Sequence, residues 1–149
     1  MTSALSEINS LSTTLGKEKG TNIAVSGSMT INASAGVLDS DGNYVFNVTS
    51  YNEGNGNVVT INGDGLGGSV VLNLGVNSNV NLGGDVTLTG GLNDDQVLWN
   101  FTTSGKNINL NNNESSYPLP LAFRGVILAP GDNLSMVSAK SRRPLVGRW

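Results

Sequence analysis

Residues 67–101 constrain the fold of this chain more than any other stretch, because apolar residues alternate there with small or polar ones. The alternating apolar positions form four short groups: Val70/Leu72/Leu74, Val80/Leu82, Val86/Leu88 and Val97/Trp99/Phe101. Alternation with a period of two predicts β-strands with one buried face. Glycine and asparagine residues separate the groups, and they turn a chain at low steric cost. Strands this short and this closely spaced favour a coil of strands over the long arms of a hairpin meander.

The predicted strands also recur along the chain. One series has an interval of about 26 residues, at positions 44–48, 70–74 and 97–101. A looser series has a period of about 20-odd residues, at positions 58–61, 80–82 and 108–110. These periods predict a right-handed parallel β-helix of about three rungs, stacked ~4.8 Å apart, with Phe46, Leu72 and Trp99 one above another inside. An antiparallel β-sandwich is the alternative, although the turns lack the Asn-Gly pairs typical of two-residue hairpins.

One helix is predicted, over residues 3–15. Four apolar residues recur there on one face: Leu5, Ile8, Leu11 and Leu15. Ser3 is a suitable N-terminal cap and Gly16 a suitable stop. The remaining residues are mostly Ser, Thr and Asn, which are mediocre helix formers. We therefore expect the helix to pack alongside the coils.

The composition indicates one domain and argues against nucleic acid as a partner. The 149 residues are 13% charged, against a typical ~25%, and the net charge is −3. This length predicts a single β-solenoid domain at residues 1–149, with coils over about 22–137 and a basic tail at 138–149. A net negative charge gives no general attraction for phosphates.

Cysteine and histidine are both absent. Their absence removes thiol nucleophiles, Cys-ligated zinc and the commonest general base. We therefore expect no catalytic residue, no metal, no cofactor and no enzyme activity. No apolar run of roughly 18 residues occurs, so this segment is not expected to insert into a membrane. The first residues lack the basic and apolar regions of a signal peptide.

Two groups of acidic residues have ordinary interpretations. Asp39-Ser-Asp-Gly-Asn43 resembles the start of a calcium loop, but the twelfth position counted from Asp39 is Ser50 rather than the glutamate of an EF-hand. A turn before a strand is the favoured interpretation. Asp94 and Asp95 are adjacent, whereas glycosidases place two carboxylates on either side of a bond. We interpret this pair as a soluble corner of a rung.

Polar residues on the predicted strands allow two further interpretations. Four asparagines are expected to bond backbone groups at the rung corners: Asn73, Asn81, Asn100 and Asn109. Thr87 and Thr89 form a Thr-x-Thr pattern and, with Thr60 and Thr102-Thr103, are candidates for a flat outward ladder. Regular threonine rows are how several β-solenoids bind ice. The Thr-x-Thr pattern occurs only once and does not recur at the rung period.

Three segments together resemble one family, the "choice-of-anchor A" bacterial surface proteins. They are Asp41-Gly-Asn-Tyr-Val-Phe-Asn-Val, Gly91-Leu-Asn-Asp-Asp-Gln-Val-Leu-Trp-Asn-Phe and Arg124-Gly-Val-Ile-Leu-Ala-Pro-Gly-Asp. The resemblance covers residues 3–137. It implies a secreted, anchored β-helix that acts as an adhesive or collagen-binding module and has no assigned catalytic residues. The chain is also similar, more distantly, to ice-binding-type β-helices.

The expected function is therefore adhesion. The resemblance implies a non-catalytic extracellular module, at the cell surface, that binds a matrix protein, a polysaccharide or ice. The expected contact surfaces are a flat repetitive face and the loop at 111–121, where Tyr117 is the aromatic candidate. The alternative is an ice-binding protein that uses the Thr87/Thr89 face. Because family members carry a secretion signal and further strands before the helix, we expect this chain to be a fragment of a longer surface protein.

Overall fold

The computed structural model describes residues 2–54, 56–82, 85–110 and 123–136. It is a parallel β-solenoid of about four turns with one N-terminal helix. Helix α1 spans Thr2–Gly16, and the strands that follow it are β1 (Thr21–Ser26), β2 (Met29–Asn32), β3 (Val37–Leu38), β4 (Asn43–Asn52), β5 (Val58–Asn62), β6 (Ser69–Leu74), β7 (Val80–Asn81), β8 (Asp85–Thr89), β9 (Val97–Phe101), β10 (Asn107–Leu110), β11 (Val126–Leu128) and β12 (Asn133–Met136).

Three sheets form the sides of the solenoid. Sheet A has the order β1-β4-β6-β9-β11, sheet B has β2-β5-β8, and sheet C has β7-β10-β12. Neighbouring strands in each sheet are parallel; the short strand β3 is antiparallel to β4. Because each pairing joins successive turns of the chain, the predicted solenoid is confirmed and the sandwich alternative is wrong. Its right-handed sense stays a prediction.

The coil has about four turns rather than the predicted three. The difference comes from the two ends, where β1, β2, β11 and β12 have weak apolar patterns. They nevertheless pair with β4, β5, β9 and β10 respectively. Backbone hydrogen bonds to a neighbouring turn therefore extend the solenoid beyond the strongly alternating stretch.

The interior contains the predicted column of large side chains. Phe46 lies in register with Leu72, and Leu72 with Trp99. All three are buried, and Trp99 is 0% exposed. The Trp99 indole N–H donates a hydrogen bond of 3.0 Å to the backbone oxygen of Arg124. The edge of the Tyr51 ring meets the Trp99 ring at a centroid distance of 5.8 Å. This prediction is confirmed.

The three strands of the second predicted series do not stack in one sheet. Residues 58–61 belong to β5 in sheet B, where they pair with β2 and β8. Residues 80–82 and 108–110 belong to sheet C. The series mixes strands of two sheets, because each turn of the solenoid contributes strands to more than one sheet. An approximate interval in the sequence does not show which of those strands pair with each other.

Helix α1 lies on the outer face of sheet A through polar contacts. Asn100 donates from Nδ2 to the Ser12 backbone oxygen at 3.0 Å, and Asn73 donates to the Leu15 backbone oxygen at 2.8 Å. The Ser12 hydroxyl donates to Asn100 Oδ1 at 2.7 Å. A Cβ at Gly16 would lie 2.6 Å from Thr102 Cγ2, so the helix end needs glycine to approach the sheet this closely.

The predicted apolar stripe is only partly used in this contact. Ile8 and Leu15 are half-buried, whereas Leu5 is 59% and Leu11 is 51% exposed. Among the helix residues from Ala4 onward, the buried one is Ser12, a polar residue. The packing of the helix against a sheet is confirmed, but hydrogen bonds to two strand asparagines hold it there as much as apolar contact does.

Candidate functional site

The outer surface of sheet B is a regular, exposed face with two columns of side chains. Side chains alternate between the two sides of a strand, and Ile31 and Ile61 point into the core. The first outward column is Thr30, Thr60 and Thr87, which lie in register on β2, β5 and β8; the second is Asn32, Asn62 and Thr89. Four of these six side chains are exposed and two, Thr60 and Asn62, are half-buried. We call these six residues the threonine face.

The sequence reveals the threonine column only in part. Thr60 and Thr87, both candidates for an outward ladder, lie in register, whereas Thr102 and Thr103 follow β9 of sheet A. The Thr-x-Thr pattern does not recur, because Asn32 and Asn62 occupy the position of Thr89 on the two preceding turns. Sequence analysis misses Thr30, the equivalent of Thr60 on the preceding turn, because the turns differ in length and the intervals between the three threonines are unequal. Thr30 also lies in a strand of only four residues, whose alternation is too short to mark its register.

Hydrogen bonds hold one corner of the threonine face in place. Asn62 donates from Nδ2 to Asn32 Oδ1 at 3.0 Å and to Asp64 Oδ1 at 2.8 Å. Asp64 Oδ2 accepts a 2.8 Å hydrogen bond from the Ser34 backbone N–H. Hydrogen bonding from Ser34 holds the pKa of the Asp64 carboxyl below its usual value. Asp64 has a left-handed backbone, with φ of 54°.

The outer surface of sheet C is a second regular face, composed of amides. Its first column is Asn79, Asn107 and Asn133, and its second is Asn81, Asn109 and Ser135. Asn109 donates from Nδ2 to Asn81 Oδ1 at 2.9 Å, and Asn133 donates to Asn107 Oδ1 at 3.4 Å. Four of the six side chains are exposed, while Asn109 and Ser135 are half-buried. We call these six residues the amide face.

A family model supplies the identification. The model described as "Putative Ice-binding-like adhesive domain" matches residues 1–141. The chain belongs to this family of adhesive, ice-binding-like domains. The comparison with curated proteins found no match, and the comparison with solved structures found none either. Membership in the family implies a domain that binds a ligand at a surface, and it does not specify the ligand.

The adhesive domain places the predicted site residues in different regions. Thr87 and Thr89 both lie on the threonine face and are exposed. Tyr117, the loop at 111–121 and the basic tail at 138–149 lie outside the described residues. Among the residues that the structure describes, no helix has the length and apolar content that crossing a membrane requires.

The prediction for the four asparagines is only partly right. Asn73 and Asn100 do bond backbone oxygens, but those oxygens belong to helix α1, and both asparagines lie within strands rather than at rung corners. Asn81 and Asn109 bond each other through their side chains. The same residue type therefore has two uses in this adhesive domain, one under the helix and one on an open face.

The Asp39 turn is the predicted turn before a strand. Asp39 Oδ1 accepts hydrogen bonds from the backbone N–H groups of Asp41, at 2.9 Å, and Asn43, at 2.8 Å, immediately before β4. One oxygen each of Glu18, Asp39 and Asp41 lies within 4.8 Å of the others. Burial and the neighbouring Asp39 raise the pKa of Glu18. Burial opposes ionisation of Asp39 too, but hydrogen bonds from Asn43 and Asp41 prevail and lower its pKa.

The adjacent acids at 94 and 95 lie in a 3₁₀ turn, Asp94–Gln96, just before β9. Asp94 forms an ion pair with Arg124. Asn93 and Gln96 bond each other reciprocally as a capping box. These contacts explain residues 94–96 as a structural corner of the solenoid.

A buried acidic residue went unnoticed in the sequence. Glu53 is 2% exposed; it accepts hydrogen bonds from the Tyr51 hydroxyl at 2.9 Å and the Val59 backbone N–H at 3.1 Å. Burial, with the charge of Glu53 beside it, raises the pKa of the Tyr51 hydroxyl. A parallel backbone bridge joins Glu53 to Leu82 of the next turn. The sequence offers no periodic signal for such a residue.

Proposed function

We propose that this chain is a non-catalytic adhesion or surface-scaffold module that binds an extracellular ligand through its uncovered flat faces. One observation carries the proposal: helix α1 covers the outer face of sheet A, whereas the threonine face is regular and exposed. A flat face with a repeat of ~4.8 Å suits a large or repetitive partner better than a small molecule. The ligand classes are a matrix protein, a polysaccharide or ice, and the location is the cell surface.

The chemistry of the side chains supports a non-catalytic role. The chain contains neither histidine nor cysteine. Asp94 is engaged by Arg124, and Asp39 by the backbone of its own turn. Glu53 is 2% exposed, so its carboxylate is shielded from a ligand in solution.

Tyr117 is proposed as an aromatic contact in the loop at 111–121. Tyrosine is among the residue types that contribute most to binding at interfaces. We expect Tyr117→Ala to leave the unfolding transition unchanged and to weaken adsorption of the protein to its surface ligand. Adsorption would be measured on immobilised collagen, on polysaccharide and on ice. Equal adsorption by the variant and the wild type would remove this loop from the binding surface.

Ice binding is the second candidate, and the threonine column favours it. Thr30, Thr60 and Thr87 place the same hydroxyl and methyl group at the same position on three successive turns. Thermal hysteresis and ice shaping are the measurements. We expect Thr87→Tyr to abolish both if ice is the ligand, because the ring would project above the flat face. The control is Leu38→Tyr on β3, where the native residue is already 58% exposed and lies on another sheet.

The two candidates separate cleanly in this experiment. Thermal hysteresis in the wild type that survives in Leu38→Tyr but not in Thr87→Tyr would assign ice to the threonine face. A wild type without any ice activity would end the ice-binding candidate and leave adhesion to other surfaces. Loss of ice activity in both variants would mean that the threonine face has no special role.

A further inference from the structure

The amide face of sheet C has a chemistry different from that of the threonine face. Its six side chains are five carboxamides and one hydroxyl, and none is charged. A carboxamide has an oxygen that accepts and an NH₂ group that donates two hydrogen bonds. We propose that this face binds a neutral polysaccharide chain; this inference rests on the proposed adhesive function and specifies the ligand of a second face.

The hydrogen bonds between turns make the face rigid. Asn109 bonds Asn81 at 2.9 Å, and the Asn107 backbone N–H donates to Asn79 Oδ1 at 3.0 Å. Asn133 reaches Asn107 at 3.4 Å. Side chains that are already held in one orientation lose little freedom when a ligand binds, so more of each new hydrogen bond contributes to affinity. The face is therefore preorganised before any ligand arrives.

The geometry of the columns indicates a polymer. The first column repeats a carboxamide at all three turns and the second at two of its three turns, with neighbouring groups about 4.8 Å apart along the solenoid axis. A polysaccharide presents hydroxyl groups at a regular interval, and each hydroxyl both donates and accepts, as a carboxamide does. A chain laid along the columns would meet equivalent groups at each turn, whereas a compact ligand would use only one turn.

The absence of charge on these six side chains indicates a neutral polymer. The charged residues next to the strands of sheet C are Lys106 and Asp132. Asp132 is engaged by the Thr103 hydroxyl at 2.8 Å and by the Lys106 backbone N–H at 2.9 Å. An acidic polysaccharide would find no column of cations on this face, and the net charge of the chain, −3, would repel it.

Affinity electrophoresis tests the inference, because it detects weak binding to soluble polymers. The full chain would be run in native gels that contain hydroxyethyl cellulose, galactomannan or the acidic polymer polygalacturonate. We expect the neutral polymers to retard the wild type and polygalacturonate to have no effect. Asn81→Ala should raise the dissociation constant for the neutral polymers about fivefold, as expected for the loss of one or two hydrogen bonds.

The chain offers a control of the same residue type, Asn22→Ala. Asn22 and Asn81 are both exposed asparagines on β-strands. They differ because Asn22 lies on β1 of sheet A, outside both the threonine face and the amide face. We expect Asn22→Ala to stay within about twofold of the wild type. If Asn81→Ala fails to fold by circular dichroism, Asn133→Ala takes its place.

Three results would overturn the inference: no retardation of the wild type by either neutral polymer, equal weakening by Asn22→Ala and Asn81→Ala, or stronger retardation by polygalacturonate. Adsorption of the wild type to ice and to collagen distinguishes a failure of the amide-face inference from a failure of the proposed adhesive function. Adsorption there without retardation by neutral polymers would reject the amide-face inference and leave the adhesive function intact. Failure on every surface would reject both.

Discussion

The outer faces of sheets A and B are made from similar strands but meet different surroundings. On sheet A, Asn100 is 0% exposed and bonds Ser12 of the helix. On sheet B, Asn32 is exposed and bonds the side chain of Asn62. Both asparagines point outward from a parallel strand. The difference comes from helix α1, which covers one face and leaves the other open, so the role of an outward side chain depends on a distant segment rather than on its own strand.

This difference has an energetic consequence. A buried amide must be hydrogen-bonded, and the loss of its partners costs far more than the loss of an exposed hydrogen bond. Asn100 donates to both Ser12 and Asn73, so it links the helix to two adjacent strands. The covered face should therefore be sensitive to single substitutions and the open face tolerant of them.

The largest effect is expected from the interior that supports both faces. Trp99→Ala should destabilise the fold by about 3–5 kcal/mol, because it removes a large buried ring and leaves a cavity. The free energy of unfolding would be measured by urea denaturation. The matched substitution on the open face, Thr87→Ala, should change it by no more than about 0.5 kcal/mol. A loss below about 1 kcal/mol for Trp99→Ala would contradict the stacked interior.

A smaller effect separates the two faces directly. Asn100→Ala should destabilise the protein by about 1–3 kcal/mol, because it leaves the buried Asn73 Oδ1 and the Ser12 backbone oxygen without this donor. Asn32→Ala removes the same chemical group from the open face and should cost no more than about 0.5 kcal/mol. Urea denaturation of the two variants gives the comparison. Equal losses would mean that the helix does not make the two faces different.

The smallest effect concerns the pH dependence of the open face. The pKa of Asp64 is lower in the folded protein than in the unfolded chain. Its contribution to stability is therefore complete above the unfolded value of about 3.9 and is lost as the pH falls through the folded value. Asp64→Asn keeps a residue that tolerates the left-handed backbone and removes the ionisation.

The expected result is a stability difference between wild type and Asp64→Asn that is constant above about pH 5 and shrinks as the solution is acidified further. Thermal unfolding at a series of pH values would measure it. A difference that grows on acidification would show that the carboxylate is not stabilised by Ser34 and Asn62.

The interior of the solenoid could be predicted from the sequence because it depends on local pattern. Phe46, Leu72 and Trp99 occupy equivalent positions in strongly alternating strands, and the column they form is the one expected. The threonine column could be predicted only in part, as Thr60 and Thr87. Thr30 lies in a four-residue strand, and turns of unequal length shift its spacing from Thr60.

The covered face could not be predicted because it depends on contacts between distant residues. Ser12 and Asn100 are 88 positions apart in sequence, and neither is apolar. A helical stripe of leucines suggested that Leu5 and Leu11 would face the sheet, yet both are more than half exposed. Hydrogen bonds between a helix backbone and strand amides leave no periodic trace in the sequence. The assignment of one domain to residues 1–149 stays a prediction.

Cysteine labelling tests the difference between a covered and an open face most directly, since the chain has no cysteine of its own. Ser12 of helix α1 is buried against Asn100 of sheet A, whereas Thr87 points outward from sheet B and is exposed. We expect Ser12→Cys to react with a thiol reagent at least about 100-fold more slowly than Thr87→Cys, because labelling requires the helix to open. Equally fast labelling of the two variants in folded protein would contradict the claim that helix α1 covers sheet A. It would also remove the reason for assigning binding to the uncovered faces.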